Sequence, residues 1–176
     1  MKWINHIAIA GAVTAAVNPA LVPAAVLGAT APDWMEWAAG LLGIKIKHRT
    51  TTHYFIVWLL ALLFFLGLWD FRGFFAAFCF GGLLHVICDA ATIMGIPFGP
   101  QSDRKFHLFG GRLRTGGAGE YGVAGAVVMF CFCFILIVKP HKIGGGWYPF
   151  FYNWGGMYKD GRVDGKEWKD NRLKFF

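Results

Sequence analysis

The run Ile7 to Ala31, IAIAGAVTAAVNPALVPAAVLGATA, decides the fold: it is long enough to cross a bilayer, yet Asn18-Pro19 and Pro23 interrupt it near the middle. Asn-Pro is a turn signal, and a proline inside a helix removes a backbone donor. Two short helices, about Ile4 to Val17 and Ala20 to Ala29, folded as a hairpin that enters and leaves on one face, account for the break better than one kinked span. Irregular backbone at membrane depth must be packed against protein, and longer apolar runs downstream can provide that protein. A cleaved signal peptide fits less well. Asn5 and His6 stand where a basic segment belongs, and cleavage near Ala31 would discard His6.

Three further runs follow. Tyr54 to Trp69, YFIVWLLALLFFLGLW, is uncharged and just short of the roughly 20 residues that a spanning helix needs, and Thr50 to His53 can extend it through the headgroup zone. Phe74 to Met94 is a second span, with Asp70 and Arg72 in the tight connection before it. Tyr121 to Val138 is a third, carrying Gly122 and Gly125 as small residues that would let another helix approach, and Pro140 stops it. At 56% hydrophobic and 15% charged residues, the 176-residue chain is more apolar than a soluble domain of its size could hide. The expectation is an all-α integral membrane protein, three spanning helices with the broken hairpin packed against them. Residues 1–138 form the membrane domain and residues 139–176, rich in Gly, Trp, Tyr and alternating charge, an extramembrane amphipathic tail. Cys79, Cys88, Cys131 and Cys133 lie in apolar runs, so free thiols are expected. The net charge of +7 has no long basic block, which fits attraction to anionic lipid better than a nucleic-acid groove.

Ionisable side chains cost several kcal/mol in hydrocarbon unless compensated, so those placed in or beside the apolar runs are the candidates for function. They are His6, Asp33 with Glu36, His48 with His53, and His85 with Asp89. If the hairpin returns to its own side, the first five lie at one face, the next span crosses away, and its successor returns with His85 and Asp89 near its end. His107 and Glu120, in or beside the loop Gly95 to Glu120, fall on the same face. His85-x-x-x-Asp89 places two ligands on one helix face about a turn apart, against the simpler reading of a helix-end histidine capped by a carboxylate. Pro32-Asp33-x-x-Glu36 reads either as a helix N-terminus with Asp33 as cap or as a pair of ligands beside Trp34 and Trp37. In His48-Arg49-Thr50-Thr51-Thr52-His53, the five-residue separation leaves His53 on a first turn and His48 in the loop. Arg49 offers a forked donor set suited to phosphate or carboxylate, against the reading of an interfacial basic flank.

His6, PDWME at 32–36, HRTTTHY at 48–54 and HVICDAATIMGIPFGP at 85–100, in that order between hydrophobic helices, resemble the YdjM-like family of LexA-binding, inner-membrane-associated metal-dependent hydrolases over residues 1–125. That family is in turn similar to the zinc-dependent phospholipase C and single-strand nuclease superfamily, whose helical folds bind zinc through scattered His and Asp residues. Glu36 stands where the family usually has Asp, and Tyr54 where it often has Ser or Thr. The zinc phospholipases also use a terminal tryptophan amine and a late HxxxE; here Trp3 is not terminal and His107 and Glu120 are too far apart for that motif.

The function this implies is hydrolysis of a phosphodiester or ester, lipid-like because the centre would open at headgroup level, through a water activated by one or two divalent ions. Imidazole and carboxylate donors without thiolate suit zinc best, with manganese or iron next. The expected ligands are His6, Asp33, His53, His85 and Asp89; Glu36 and His48 are each a ligand or general base, and Arg49 an anion clamp. Two rivals use the same residues: a membrane scaffold or partner-binding protein pinned by a structural ion, and a transporter or proton relay, which would instead string them along a path. Expected partners are membrane lipids and a protein bound by the tail, with no specific nucleic acid. Lys2, Lys45, Lys47, Arg49, Arg104, Lys105, Arg112 and Arg114 outnumber Arg72, Lys139 and Lys142 near the spans, which puts the motif face on the cytoplasmic side of a bacterial inner membrane.

Overall fold

The structure, a computed structural model, describes residues 1–67, 70, 73–100, 104–138 and 164–166. Five α-helices run among them: α1 (Trp3–Val17), α2 (Val22–Leu41), α3 (Phe55–Gly67), α4 (Phe74–Ala90) and α5 (Ala118–Val138). The expectations for the tail beyond Val138 and for Arg72 fall outside the described residues, apart from 164–166.

The hairpin breaks where the sequence indicates. Asn18 leaves the helical region, its side chain accepts from the Ala20 amide, and Pro19 opens a single 3₁₀ turn, Pro19–Leu21, that leads into α2. The returning arm is longer than its sequence suggests. It runs through Pro32 to Leu41, so Asp33 and Glu36 lie in the interior of α2 and neither reads as an N-terminal cap. A mid-helix proline costs a backbone bond. Here Pro32 is fully buried together with Ala24, Ala25, Ala29 and Ala31, and that small-residue face packs against α4.

The α2–α4 crossing is set by glycine. A Cβ on Gly28 would stand 1.9 Å from the Phe78 carbonyl oxygen, and one on Gly81 would stand 1.9 Å from the Ala25 carbonyl oxygen. The two helices touch backbone to backbone. Gly122 and Gly125, expected to admit a neighbour, have no described neighbour within 4 Å of the point a Cβ would occupy, so the close approach belongs to the other glycine pair. On the far side of α4, Trp58 of α3 lies over Gly82 and donates its indole N–H to the Thr52 carbonyl at 2.7 Å.

Of the three expected spans, the described residues contain one helix, with its 20-residue stretch Ala118–Ile137, long and apolar enough to cross a membrane. α3 has 13 residues and α4 has 17, both below the roughly 20 needed at 1.5 Å per residue. Polar turns mark the site ends of both helices. Thr51–His53 form a 3₁₀ turn ahead of α3, and α4 stops at Ala90, after which the Thr92 hydroxyl donates to the Asp89 carbonyl at 2.7 Å. Large apolar side chains face outward on α3 (Leu60, Leu63, Phe64) and α5 (Phe130, Phe132, Ile137), the pattern of helices solvated by acyl chains. All four cysteines are free.

α5 begins three residues earlier than expected because Glu120 anchors it. This carboxylate, fully buried, accepts from the Lys2 amide at 2.6 Å, from the Gly116 amide at 2.6 Å and from the Asn5 side-chain amide, tying the first turn of α5 to the start of α1. Removing it strands three donors, each costing about 1–3 kcal/mol when buried and unpaired. Glu120→Ala is therefore expected to destabilise the fold by about 3 kcal/mol or more, read as a lowered thermal midpoint in detergent, whereas Glu120→Gln retains part of the loss because one amide oxygen still accepts.

Candidate metal centre

Alternating helix directions bring distant residues together: α1 leaves from one end of the bundle, α2 returns to it, α3 leaves, α4 returns and α5 leaves. His6, Asp33, Glu36, His48, His53, His85, Asp89 and Glu120 all lie at that end. Each of the five expected ligands has a polar atom within 4 Å of another.

His85 and His53 are aimed by hydrogen bonds on their rear nitrogens. Nδ1 of His85 lies 2.7 Å from the Ala29 carbonyl, so the proton sits on Nδ1 and the Nε2 lone pair faces inward. His53 Nδ1 lies 3.1 Å from Glu36 Oε1 and 3.0 Å from the Thr52 hydroxyl, and its Nε2 likewise faces inward. Both Nε2 atoms meet Asp33 Oδ1, at 3.4 Å from His53 and 3.8 Å from His85, while Trp3 Nε1 donates to the other Asp33 oxygen at 2.5 Å. Zinc bonds of 2.0–2.2 Å at tetrahedral angles separate neighbouring ligand atoms by about 3.3–3.6 Å. The triad Asp33, His53, His85 is close to that size.

Two neighbouring triads share its members: His6, His85 and Asp89, entirely buried, and Glu36, His48 and His53, toward solvent. They are not three independent sites. His85 has a single nitrogen left once Nδ1 binds Ala29, and His53 Nδ1 is engaged by Glu36, so an ion in the middle triad uses the one lone pair that each ring can spare. A single ion held by two imidazoles and one carboxylate would have a fourth position free for water or substrate.

Among the described residues, His53 Nε2, His85 Nε2 and both ring nitrogens of His6 are buried and make no hydrogen bond. An orphaned buried polar atom costs about 1–3 kcal/mol. Several adjacent ones are tolerable when a cation takes their lone pairs, so the donor set fits a divalent ion on chemistry as well as size.

The remaining residues surround this triad. Asp89 Oδ2 stands 3.9 Å from His53 Nε2 and 3.8 Å from His85 Nε2, and it accepts from Arg49 Nη2 at 2.8 Å. Its Oδ1 pairs with the Met1 amino group and lies 3.5 Å from His6 Nε2. His6 stacks on His85, with ring centroids 3.8 Å apart. Arg49, expected to reach outward for an anion, is buried. It spends Nη2 on Asp89 and Nη1 on the Thr92 hydroxyl at 3.1 Å, from a left-handed backbone conformation (φ 58°) in which its amide donates to Glu36. Glu36 gathers the loop, with Oε1 also accepting from the Thr52 hydroxyl at 2.7 Å and Oε2 meeting His48 Nδ1 at 2.7 Å. His48, with 60% of its side chain exposed, is the outermost member. His107 stays outside the cluster; its ring lies against Gly95 and Gly111, with Nδ1 3.3 Å from the Thr92 carbonyl.

Trp3, Thr52, the Met1 amine and the Ala29 carbonyl also take part, and sequence reasoning gave none of them a role. Thr52 had a signal in its place inside the threonine run. A backbone carbonyl has none.

A family match places the chain among known proteins. The model of the YdjM inner membrane protein family matches residues 1–143, and the chain belongs to that family. No curated protein and no solved structure matches it.

Proposed function

We propose that this member of the YdjM inner membrane protein family is a metal-dependent hydrolase whose single divalent ion, zinc by donor type, is held by Asp33, His53 and His85 at one end of the helical bundle. The observation that carries the reading is the convergence of the unpaired His53 and His85 nitrogens on one Asp33 oxygen. When bound, such an ion lowers the pKa of a water toward neutrality and polarises a phosphoryl or carbonyl oxygen.

The chain's own residues then have separable tasks. Asp89, beside the two imidazoles, accepts a hydrogen bond from the attacking water and orients it, and Arg49 holds its Oδ2 in place. Glu36 fixes the His53 tautomer and ring orientation, the carboxylate–histidine pairing that makes an imidazole a better donor. His48 lies where substrate arrives and donates to a leaving or non-bridging oxygen. The substrate class is a phosphodiester or ester, lipid-like because the centre sits at a bundle end. The excess of basic residues on the site face supports a cytoplasmic orientation.

A scaffold reading rests on one observation: the three ligands come from α2, the turn before α3, and α4, so an ion would pin helices even without turnover. Hydrolysis of a chromogenic phosphodiester and of a phospholipid by purified protein separates the two. Zinc-dependent turnover that disappears in Asp89→Asn while the metal stays supports the hydrolase; bound metal without turnover on any ester supports the scaffold. Glu36→Gln is expected to weaken metal affinity or turnover by about 10–100-fold, the usual size of an outer-sphere effect. An unchanged zinc titration and rate would remove Glu36 from the mechanism.

A further inference from the structure

Among the described residues, the loops at the site end carry charges of one sign on their outer surface. Asp33, Glu36, Asp89 and Glu120 are turned inward to imidazoles, amides, an ammonium and a guanidinium. Exposed Lys2, Lys45, Lys47, Lys105, Arg112 and Arg114 remain, with no exposed carboxylate at that end among the described residues.

Large apolar side chains stand out beside these cations. Leu42 is 79% exposed, Trp37 68% and Ile44 57%, next to Lys45 and Lys47; Phe109 is 86% exposed, three residues before Arg112. Phe109 is held outward by its backbone. Its φ of 50° is unusual for a residue with a side chain, and Gly110 and Gly111 follow at 70° and 61°. The tip is fixed from behind: the Ile93 amide donates to the Leu113 carbonyl, the Leu113 amide to the Ala91 carbonyl, and His107 lies against Gly111. Apolar tips alternating with lysine and arginine suit a boundary between acyl chains and charged headgroups.

Chain length fixes the level. Arg112 and Arg114 precede the stretch Ala118–Ile137, the helix long and apolar enough to cross, by six and four residues. At about 3.5 Å per residue they cannot be far from the plane where it enters.

We propose that the segments 37–47 and 104–114 form an interfacial collar that binds anionic phospholipid headgroups, with Phe109, Trp37 and Leu42 inserted among the upper acyl carbons and the lysines and arginines on the phosphates. Complementary charge selects the occupant: negative surface potential favours each nearby cation, and an apolar tip gains only where hydrocarbon is within reach. The collar is independent of the hydrolytic reading and stands or falls separately from the metal.

The test uses the full chain with Phe109→Cys, labelled with bimane and set against equally treated wild type to subtract the native thiols. It is reconstituted in phosphatidylcholine alone or mixed with phosphatidylglycerol, each with brominated acyl chains. Bromine quenching at position 109 is expected, larger by about twofold with phosphatidylglycerol and lowered toward the phosphatidylcholine value by salt. Replacing Lys45, Lys47, Arg112 and Arg114 with Gln should abolish the lipid preference while leaving the thermal midpoint and zinc content unchanged. Absence of quenching in both lipids, as expected if a protein partner covers the tip, overturns the proposal. Equal quenching in both overturns its anionic selectivity.

Discussion

Purified with zinc present and then dialysed free of excess, the wild-type chain is expected to retain about one zinc ion, and His85→Ala none. His85 is the residue for which substitution has no remedy. Its Nδ1 is tied to the Ala29 carbonyl and its Nε2 is the shared vertex of the middle and inner triads, so losing the ring removes a ligand from both. Folding should survive better than binding does, because His6 and Val86 remain to line the space and Asp89 keeps its partners Arg49 and the Met1 amine. His48→Ala is the informative companion. That side chain belongs only to the outer triad, so the variant should keep its zinc, and loss of metal from it would move the ion outward to Glu36, His48 and His53. Zinc retained by His85→Ala would end the assignment. Acidification should release the ion as protons compete for the imidazole lone pairs, reversibly on return to neutral pH.

The second large effect is structural. Gly28→Val and Gly81→Val should each fail to give a stable, monodisperse protein, because the new Cβ would lie 1.9 Å from a backbone carbonyl oxygen of the facing helix, and backbone cannot rotate away as a side chain can. Overpacking in a well-filled interior costs about 1–3 kcal/mol, and a clash of backbone on both helices belongs at or beyond the upper end. Separating α2 from α4 also withdraws Asp33 from His85, so any folded fraction should bind zinc weakly. Gly122→Val, at a position with no described neighbour within 4 Å, is the control and should be tolerated; equal damage there would refute the crossing as the sensitive point.

The hairpin break and the gathering of the candidate residues at one end were legible from residue order, since Asn18-Pro19 carries its own turn chemistry and an up-and-down path fixes which ends meet. The reach of α2 was not. Pro32 argues for a boundary, and only burial against α4 makes it acceptable inside the helix. The inward turn of Arg49 depends on Asp89, forty residues on, and no local pattern announces such a pair. Glu120 showed the same limit. Its place on the motif face made it a candidate ligand, yet its partners are amides of Lys2, Asn5 and Gly116. The end of α4 at Ala90 follows from a polar turn whose hydrogen bonds close only in three dimensions.

Because the donors come from α2, the turn before α3 and the end of α4, a nascent polypeptide leaving the ribosome holds no complete cage until the segment containing His85 has been inserted beside Asp33. If the proposed ion is bound, its capture would come late in biogenesis, and it would act as a seal on correctly threaded chains: a molecule in which α4 failed to dock on α2 would be marked by an incomplete donor set.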